Sequence, residues 1–343
     1  MIPTPDRLLA LVDRFAGREV LLLVDAVADR FVYGSPKRIS REAPVLILRW
    51  ERDLVAPGGG ANSAANIRAL GGVPLPVGCV GDDEAGDALV RSLGERDITT
   101  SGIVRRAAWT TPTKTRILAG FPTGIKQQIV RFDRETFAAL GDGELAEIRR
   151  RIESFAGRAP VAVLSDYGYG SVPPALLPEV RGALAAPATV LVDSRFRLAE
   201  FRGADGATPN EEEAEALWGG ALDAAPGIDS IGAELRDRLR ASFLLVTRGS
   251  RGMALFTAAG AAHVPVHGTD QVADVTGAGD TVIGTLALAL AAGATPLEAA
   301  LLANYAGGLV VLKMGTATLD AEELRAAITS DPLPLERSRW VAF

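Results

Sequence analysis

The chain has 343 residues, of which 48% are hydrophobic and 23% are charged. This length and composition allow a large buried core and exclude a fibrous, collagenous or disordered protein. The formal net charge of −6 excludes a broadly basic nucleic-acid-binding face but leaves room for a local basic pocket. Strand and helix patterns continue without a clear linker, which predicts a single domain over residues 1–343.

Cysteine and histidine usage excludes several kinds of site. Cys79 is the single cysteine, so an intrachain disulfide and a cysteine metal cluster are excluded. The sequence has two histidines, His263 and His267, which is too few for a histidine-rich zinc site and disfavours a histidine-based hydrolase triad. The sequence also lacks the pattern of a secretory signal or a membrane span, so we expect a cytoplasmic protein.

Short apolar runs bounded by polar turn residues recur along the chain and predict β-strands. They cover residues 20–24, 75–80, 161–164, 189–192 and 243–246. Segments of helix length lie between them, such as residues 62–70 and residues 84–96, the second with Asp82 as its expected cap. This alternation predicts an α/β fold with a mostly parallel sheet covered by helices on both faces.

Two further stretches, about residues 31–57 and 108–133, interrupt the alternation with β-type patterns and several basic residues. They predict extra strands outside the main sheet. Four predicted strands of the main sheet are followed by carboxylates, which we expect to face one crevice because ligands gather at the carboxyl ends of such strands. These carboxylates belong to Asp25, Asp82, Asp166 and Asp193.

The most informative segment is the run Asp-Val-Thr-Gly-Ala-Gly-Asp at residues 274–280, followed by an apolar helical run. Gly277 and Gly279 allow a tight turn that leaves the next amides free to face an anion. These are the amides of Ala278, Gly279 and Asp280. The carboxylate of Asp280 is placed to accept a proton from an attacking hydroxyl. The alternative is that Asp280 only caps the helix and the glycines only form a turn.

A second informative segment contains three consecutive glycines, which admit a ligand against the backbone. Near it, two amides one helical turn apart and two carboxylates after the first strand are placed to hydrogen-bond sugar hydroxyls. The glycines are Gly58, Gly59 and Gly60, and the polar residues are Asn62, Asn66, Asp25 and Asp29. Taken singly, each polar residue is more often a helix cap or part of a solvated surface.

These two motifs resemble the signatures of the ribokinase-like, or PfkB, carbohydrate kinases, and the resemblance extends over about residues 18–330. It implies a three-layer α/β/α fold with a small β-strand lid, formed by the stretches 31–57 and 108–133, and an ATP-dependent sugar kinase activity. It implies that Asp280 is the catalytic base and that residues 277–279 form an anion hole. It also implies that Asp274 and Thr276 lie near a monovalent-cation site, with K⁺ as the expected ion.

The same resemblance implies a site for ATP and Mg²⁺ in the second half of the chain. Its residues would be Asn210, Glu213, Thr247, Arg248, Gly249, Gly252 and Asn304. The residue types suit this role, because Asn210 can cap a helix while Thr247 and Gly249 occupy a tight turn after a strand. Glu213 would position hydrated Mg²⁺, which offsets the charge of the nucleotide phosphates.

Within this family, the chain most resembles the heptose 7-phosphate kinases of lipopolysaccharide precursor synthesis. The segments that carry this resemblance are residues 25–34, 38–45 and 164–170. Those kinases phosphorylate the anomeric hydroxyl of a sugar that already carries a phosphate, and basic lid residues suit that second anion. The substrate-binding residues implied are Arg38, Lys114, Arg116 and Asp166, with Arg41 and Arg131 as further basic candidates. A solvated lid surface explains any single basic residue equally well.

The chain departs from the heptose kinases at several positions. It has Tyr169 and Arg195 where they usually carry lysine, at the expected phosphate end of the pocket. It also has Arg41 in place of proline and Val24 in place of glycine. Because it stops near residue 343, without the nucleotidyltransferase domain that bifunctional relatives append, we expect it to perform only the kinase step.

Three other functions compete with this interpretation. The first is a kinase of the same fold for another sugar, sugar phosphate or nucleoside. The second is a nucleotide- or sugar-binding protein without catalysis, which the intact segment 277–280 disfavours. The third is a dinucleotide-dependent oxidoreductase, which is disfavoured because this chain lacks the glycine-rich turn that such enzymes have after the first strand.

The lid strands also predict a homodimer, because exposed strand edges tend to be covered.

Overall fold

The computed structural model describes residues 2–107, 109–120, 126–268 and 272–343. The helices are α1 (Pro5–Val12), α2 (Gly60–Ala69), α3 (Glu84–Gly94), α4 (Asp142–Ser154), α5 (Leu177–Ala183), α6 (Glu211–Trp218), α7 (Ile228–Leu239), α8 (Ala278–Ala291), α9 (Pro296–Val310), α10 (Ala321–Ser330) and α11 (Leu333–Arg337). The strands are β1 (Glu19–Ile39), β2 (Leu46–Gly59), β3 (Val73–Gly81), β4 (Ile103–Arg106), β5 (Thr113–Ala119), β6 (Gln127–Arg134), β7 (Val161–Asp166), β8 (Thr189–Ser194), β9 (Gly206–Ala207), β10 (Phe243–Thr247), β11 (Met253–Thr257), β12 (Gly260–Val264) and β13 (Arg339–Ala342).

The main sheet has the strand order β13-β12-β11-β10-β9-β8-β7-β1-β3-β4. Neighbouring strands from β10 to β4 run parallel, and those from β10 to β13 run antiparallel. The predicted mostly parallel sheet is confirmed, and each predicted apolar run lies within one of its strands.

Side chains of β1 alternate between two separate cores, which shows that helices cover both faces of the sheet. Val20 and Leu22 pack in a core with residues of α1, α2, α8 and α9. Leu21 and Leu23 pack in the other core, with residues of α4, α5 and α7. A parallel strand buried on both faces reads as a continuous apolar run, as residues 20–24 do. The three-layer α/β/α architecture is therefore confirmed.

The lid is a second sheet, which shares β1 with the main sheet. The N-terminal part of β1 pairs with β3 and β7 up to Asp25, and the strand then continues to Ile39 between β2 and β5. β6 completes the lid by pairing with β5. The predicted lid segments, 31–57 and 108–133, contain most of these strands, although residues 108 and 121–125 of the second lie outside the described residues.

Two local expectations are corrected. The N-cap of α3 is Asp83, whose Oδ1 accepts a hydrogen bond from the Gly86 amide at 2.8 Å, and not Asp82. The adjacent Asp82 is exposed and does not line the crevice, unlike Asp166 and Asp193. In the described part of the chain, no helix has both the length and the apolar character needed to cross a membrane.

Candidate active site

Asp280 lies in the first turn of α8, beside the ends of β7 and β8. The residue is 3% exposed. Tyr167 Oη donates to its Oδ1 at 2.8 Å, and Asn62 Nδ2 donates to its Oδ2 at 3.1 Å. Burial raises the pKa of Asp280 to about 7, although both hydrogen bonds act to lower it. A carboxylate whose pKa lies near neutrality is well suited to accept a proton from a hydroxyl group.

The turn that leads into α8 depends on glycine at two positions, for different reasons. Gly277 has φ of +78°, and a Cβ there would lie 2.5 Å from Asn62 Nδ2. A Cβ on Gly279 would meet no described atom within 4 Å, so that residue faces open space in the cavity. Gly277 is therefore required by the protein itself, whereas Gly279 leaves room for a ligand.

The amides at the start of α8 are only partly available to an anion. The amides of Gly279 and Asp280 lie in the first helical turn, where no preceding helical carbonyl is available to accept their hydrogen bonds. The amide of Ala278, which was predicted to be free, donates to the Val275 carbonyl at 3.2 Å. Two first-turn amides thus lie at the cavity, where a helix N-terminus favours negative charge.

Asn62 and Asn66 lie one turn apart on α2 and form a chain of hydrogen bonds behind Asp280. Asn66 Nδ2 donates to the Asn62 carbonyl at 3.0 Å and to Asn62 Oδ1 at 3.3 Å. Asn62 Nδ2 then donates to Asp280. Both amides are buried and lie outside the cavity wall. This arrangement lets them orient the carboxylate of Asp280, and their hydrogen bonds to sugar hydroxyls stay a prediction.

Asp25 anchors the loop that follows β7. Its Oδ2 accepts the amides of Tyr167 and Tyr169, each at 2.9 Å, and its Oδ1 accepts the amide of Ser171 at 2.8 Å. The residue is 1% exposed and lies outside the cavity wall. Asp25 was expected to bind sugar, but its two oxygens already hold the loop that presents Tyr167.

The lid side of the cavity combines Asp29 with basic side chains. Asp29 Oδ1 accepts a hydrogen bond from Arg116 Nη1 at 2.5 Å, and both side chains are buried. Desolvation raises the pKa of Asp29, against the lowering effect of Arg116. A Cβ on Gly58 would lie 2.6 Å from Asp29 Oδ2, so glycine at that position makes room for the carboxylate. Desolvation also lowers the pKa of Lys114, whose ammonium lies nearby.

The other two glycines of the 58–60 run differ in their surroundings. Gly59 lines the cavity and has φ of +55°. A Cβ on Gly60 would lie 2.5 Å from Val24 Cβ, so this glycine allows α2 to pack closely on β1. Only one of the three glycines therefore exposes its backbone to the cavity.

Asp166 lies in the cavity wall, but protein donors surround its carboxylate. Its Oδ1 accepts Arg197 Nη2 at 2.5 Å and the Gly168 amide at 3.1 Å. Its Oδ2 accepts Ser194 Oγ at 2.7 Å and Arg197 Nε at 3.2 Å. These contacts tie the end of β7 to the loop after β8.

The cavity has a volume of about 630 Å³ and brings together half of the residues singled out in the sequence. In its wall lie Asp29, Gly59, Lys114, Arg116, Asp166, Asn210, Glu213, Thr247, Thr276, Gly277, Gly279 and Asp280. Outside the wall lie Asp25, Arg38, Gly58, Gly60, Asn62, Asn66, Arg248, Gly249, Gly252, Asp274, Ala278 and Asn304. A larger groove of about 820 Å³ runs between the lid and α3, and its described lining includes none of the predicted residues.

The end of the cavity opposite the lid is acidic. Asn210 caps α6, with Oδ1 accepting the Glu213 amide at 2.8 Å, and Glu213 Oε2 accepts the Asn210 amide at 2.9 Å. Thr247 bridges to Asn210 across the sheet edge. Desolvation raises the pKa of Glu213 and, more strongly, that of Asp193, which also faces the charge of Glu213. A hydrated cation would relieve this crowding of carboxylates, so the residues present fit Mg²⁺ held through water.

Arg248 and the glycines after it form a braced turn between β10 and β11. Arg248 Nη2 donates to Asp223 Oδ1 at 2.8 Å, and its Nε donates to Glu211 Oε1 at 3.3 Å. Gly249 has φ of +54° and Gly252 has φ of +79°. The guanidinium of Arg248 is thus engaged with the carboxylates of Glu211 and Asp223.

Two predicted residues lie away from the cavity. Asn304 is 2% exposed on α9, and its Nδ2 donates to the Pro265 carbonyl at 3.0 Å. Arg38 is exposed near the far end of β1. Neither side chain reaches the cavity wall in this arrangement.

The segment before α8 offers oxygen atoms next to the cavity. Asp274 Oδ1 accepts the Thr276 amide at 2.9 Å, and its Oδ2 accepts the Gly315 amide at 3.0 Å. Burial acts to raise the pKa of Asp274, but these hydrogen bonds bring it below its usual value. Thr316 Oγ1 is buried in the cavity wall and has no hydrogen-bond partner among the described residues. An ionised carboxylate and an unpaired hydroxyl fit a monovalent cation.

Some residues of the cavity wall were not among the assigned site residues, although the sequence interpretation expected Asp193 to face the crevice and Arg195 to lie at the phosphate end of the pocket. Tyr167, Asp193 and Arg195 all line the cavity. Each carried a signal: Tyr167 lies in the 164–170 motif, Asp193 follows a predicted strand, and Arg195 replaces a lysine of the heptose kinases. Arg131, a further basic candidate for binding the second anion, also lies in the wall and pairs with Asp133 at 2.5 Å.

Comparisons with known proteins identify similar sequences and similar folds. The sequence model of the pfkB family carbohydrate kinase matches residues 23–323. The bifunctional protein HldE of Mesorhizobium japonicum is 39% identical over 328 residues, which are 95% of this chain and 65% of that protein. The chain therefore spans slightly less than two thirds of the length of this relative.

Solved structures show the same fold. Phosphofructokinase-2 from Escherichia coli, solved in complex with potassium, has a TM-score of 0.72 at 20% identity and covers 94% of this chain and 100% of its own. Ribokinase from Arabidopsis thaliana, solved with ribose and ATP, has a TM-score of 0.68 at 21% identity, with 92% and 100% covered. The predicted ribokinase-like fold is thus confirmed. The match over residues 23–323 shows that this chain belongs to the pfkB family of carbohydrate kinases, which are ATP-dependent phosphotransferases.

Proposed function

We propose that this kinase phosphorylates the anomeric hydroxyl of a heptose 7-phosphate to give the 1,7-bisphosphate. The observation that carries the proposal is the placement of Asp280 between two differently charged ends of one cavity. The lid end has basic side chains, and the opposite end has the acidic pair Asp193 and Glu213. We assign a sugar phosphate to the basic end and the magnesium complex of ATP to the acidic end.

The basic end supports an acceptor that already carries a phosphate. Lys114, Arg116 and Arg131 line the lid end, where Asp29 and Asp133 offset only part of their charge. Arg195, which follows β8, lies close enough to affect the charges of both Lys114 and Glu213. Cationic side chains that converge on one pocket bind phosphate through charge-assisted hydrogen bonds. Arg195 keeps the positive charge of the lysine found in heptose kinases, and it adds the planar donor geometry of a guanidinium.

The proposed step uses Asp280 as the base. The anomeric hydroxyl oxygen forms a bond to the γ-phosphorus of ATP, the bond from that phosphorus to the β–γ bridging oxygen breaks, and the hydroxyl proton passes to Asp280. The amides of Gly279 and Asp280 stabilise the negative charge on the transferred group. ADP leaves with the electron pair of the broken bond.

Cation sites complete the proposal. Glu213, with Asp193 beside it, would hold the water shell of Mg²⁺, which neutralises phosphate charge when it is bound. Asp274, Thr276 and Thr316 would surround a monovalent cation, and the potassium complex of a protein with the same fold supports K⁺. Asn210 and Thr247 would contact the nucleotide.

A substrate panel tests the choice of sugar. We expect kcat/KM for heptose 7-phosphate to exceed that for the same heptose without its phosphate by at least about a hundredfold, because the basic groups would lose their interactions with the phosphate. The assay is a coupled measurement of ADP release, with fructose 6-phosphate, ribose, fructose and adenosine as the other acceptors. Turnover of ribose or fructose with none of heptose 7-phosphate would reject the proposal.

We also propose a homodimer formed through the lids. Lid side chains such as Ile39, Trp50, Ile129 and Phe132 are apolar and exposed, and a second copy that packs on the lid would cover apolar side chains of this kind. Light scattering should give about twice the 35.8 kDa of one chain. Trp50→Glu should yield monomers, whereas Leu333→Glu, which places the same charge on α11, should not. A wild-type mass of one chain would contradict the dimer.

A further inference from the structure

Tyr167 is the residue of the cavity that contacts Asp280 most directly, and three contacts hold it in place. Its amide donates to Asp25 Oδ2 at 2.9 Å. Its ring packs against Gly59, where a Cβ would lie 3.4 Å from a ring carbon. Lys114 Nζ lies over the same ring, 5.3 Å from its centroid. The backbone and the ring of Tyr167 are therefore both held by contacts with residues of the main sheet and the lid.

The hydroxyl of Tyr167 is a donor in this arrangement. Tyr167 Oη lies 2.8 Å from Asp280 Oδ1. Burial, together with the negative charges of Asp280 and Asp193, raises the pKa of Tyr167 well above its ordinary value, so the hydroxyl keeps its proton. A protonated phenol that faces a carboxylate donates its hydrogen bond to the ionised form and so stabilises that form.

The carboxylate of Asp280 is thereby held from two sides. Tyr167 donates to one oxygen and Asn62 donates to the other. Each carboxylate oxygen has two acceptor positions, so each keeps one for a substrate hydroxyl. Two other charges have opposite effects on the pKa of Asp280, since Asp29 acts to raise it and Lys114 acts to lower it. The charge of Asp280 in turn acts to raise the pKa of Asp193. Tyr167 and Asn62 are the groups with direct hydrogen bonds.

We infer that Tyr167 is a positioning residue for the reaction: it fixes the carboxylate of Asp280 and keeps it ionised for proton transfer from the acceptor hydroxyl. The inference rests on the proposed role of Asp280 as the base. It does not depend on which sugar is bound, because none of the three contacts involves a substrate group. The neighbouring Tyr169 has a different partner, since its hydroxyl donates to Glu135 Oε1 at 2.5 Å.

The test is Tyr167→Phe, which removes the hydroxyl and leaves the ring against Gly59 and Lys114. In the wild type, kcat/KM for the sugar should rise with pH through about 7, as Asp280 loses its proton. In the variant this rise should move upward by about one pH unit, because the ionised form loses a hydrogen bond. The loss should be about tenfold below the transition, and the two profiles should converge above pH 9. A merely structural defect would lower activity at every pH.

Tyr169→Phe is the matched control, because it removes a hydroxyl from the same loop without touching Asp280. Its profile should keep the wild-type midpoint, whatever its effect on KM. A second readout, independent of turnover, is the titration of the Asp280 carboxyl by ¹³C NMR, assigned by its absence in Asp280→Asn. An upward shift in both the titration and the kinetic profile of Tyr167→Phe would support the inference.

Two results would overturn the inference, and they have different meanings. An unchanged carboxyl titration in Tyr167→Phe would show that the hydroxyl does not stabilise the ionised form. A shifted titration with an unshifted kinetic profile would show that Asp280 is not the base. The second result would remove the proposed mechanism as well, whereas the first would leave it intact.

Discussion

Replacement of Asp280 by asparagine is expected to lower kcat by at least about a hundredfold, the usual contribution of a general base. Nucleotide affinity should remain close to that of the wild type, because the side chain hydrogen-bonds to Tyr167 and Asn62 on the acceptor side of the cavity. Steady-state kinetics with saturating sugar phosphate would measure the first quantity. Calorimetric titration with ATP would measure the second.

The matched control for this substitution is Asp320→Asn. Asp320 caps α10, far from the cavity, and asparagine is an equally good cap, so turnover should be unchanged. Circular dichroism would establish that both variants are folded. Turnover of Asp280→Asn within about threefold of the wild type would remove this carboxylate from the mechanism, since an essential base contributes far more.

Alanine at Gly277 and at Gly279 should separate structure from catalysis. Gly277→Ala should lower the free energy of unfolding by about 1–2 kcal/mol, because alanine disfavours a left-handed backbone. The new Cβ would also displace Asn62, so kcat should fall about a hundredfold, as small misplacements of catalytic groups do. Gly279→Ala should keep or raise stability, since its Cβ meets open space in a helix, yet it should also lower kcat by obstructing the phosphoryl group.

Urea unfolding and steady-state kinetics on the two variants would test this pair. The two variants should differ in stability: Gly277→Ala should lose both stability and turnover, whereas Gly279→Ala should lose turnover alone. Full activity in Gly279→Ala would show that the open space beside this residue does not receive the transferred group.

Features set by neighbours in sequence could be predicted from the sequence. The glycine turn and helix start at residues 274–280 are local, and they appear in the structure as the N-terminus of α8. The apolar runs of the main sheet were also predicted, because a strand buried on both faces is apolar at every position. The position of Asp280 in a cavity follows from these two features together with the rule for strand ends.

Features set by distant partners could not be predicted. Asp25 appeared to be a ligand-binding carboxylate, but its partners are amides 142 to 146 positions further along the chain. Tyr167 precedes Asp280 by 113 positions, so nothing in its local sequence indicates the hydrogen bond between them. The sequence indicated which face of α2 carries Asn62, but it did not indicate that α8, with Asp280, packs against that face. In each case tertiary contact, and not residue type, decides the role.

The length of β1 illustrates a related limit. Its apolar run stops at Val24, but the strand covers 21 residues because it leaves the main sheet and continues into the lid. Beyond that point its neighbours change, and its polar residues acquire partners such as Arg116 for Asp29. The sequence patterns detected the buried run at residues 20–24 and the β-type stretch from residue 31, but they missed that residues 25–30 join the two into one strand.

The most direct test of the proposed mechanism is a crystal structure of the protein with heptose 7-phosphate and a non-hydrolysable ATP analogue. The proposal predicts that the anomeric hydroxyl lies within about 3.2 Å of a carboxylate oxygen of Asp280, with the γ-phosphate beside the Gly279 amide. A sugar bound in the cavity with that hydroxyl remote from Asp280 would contradict it.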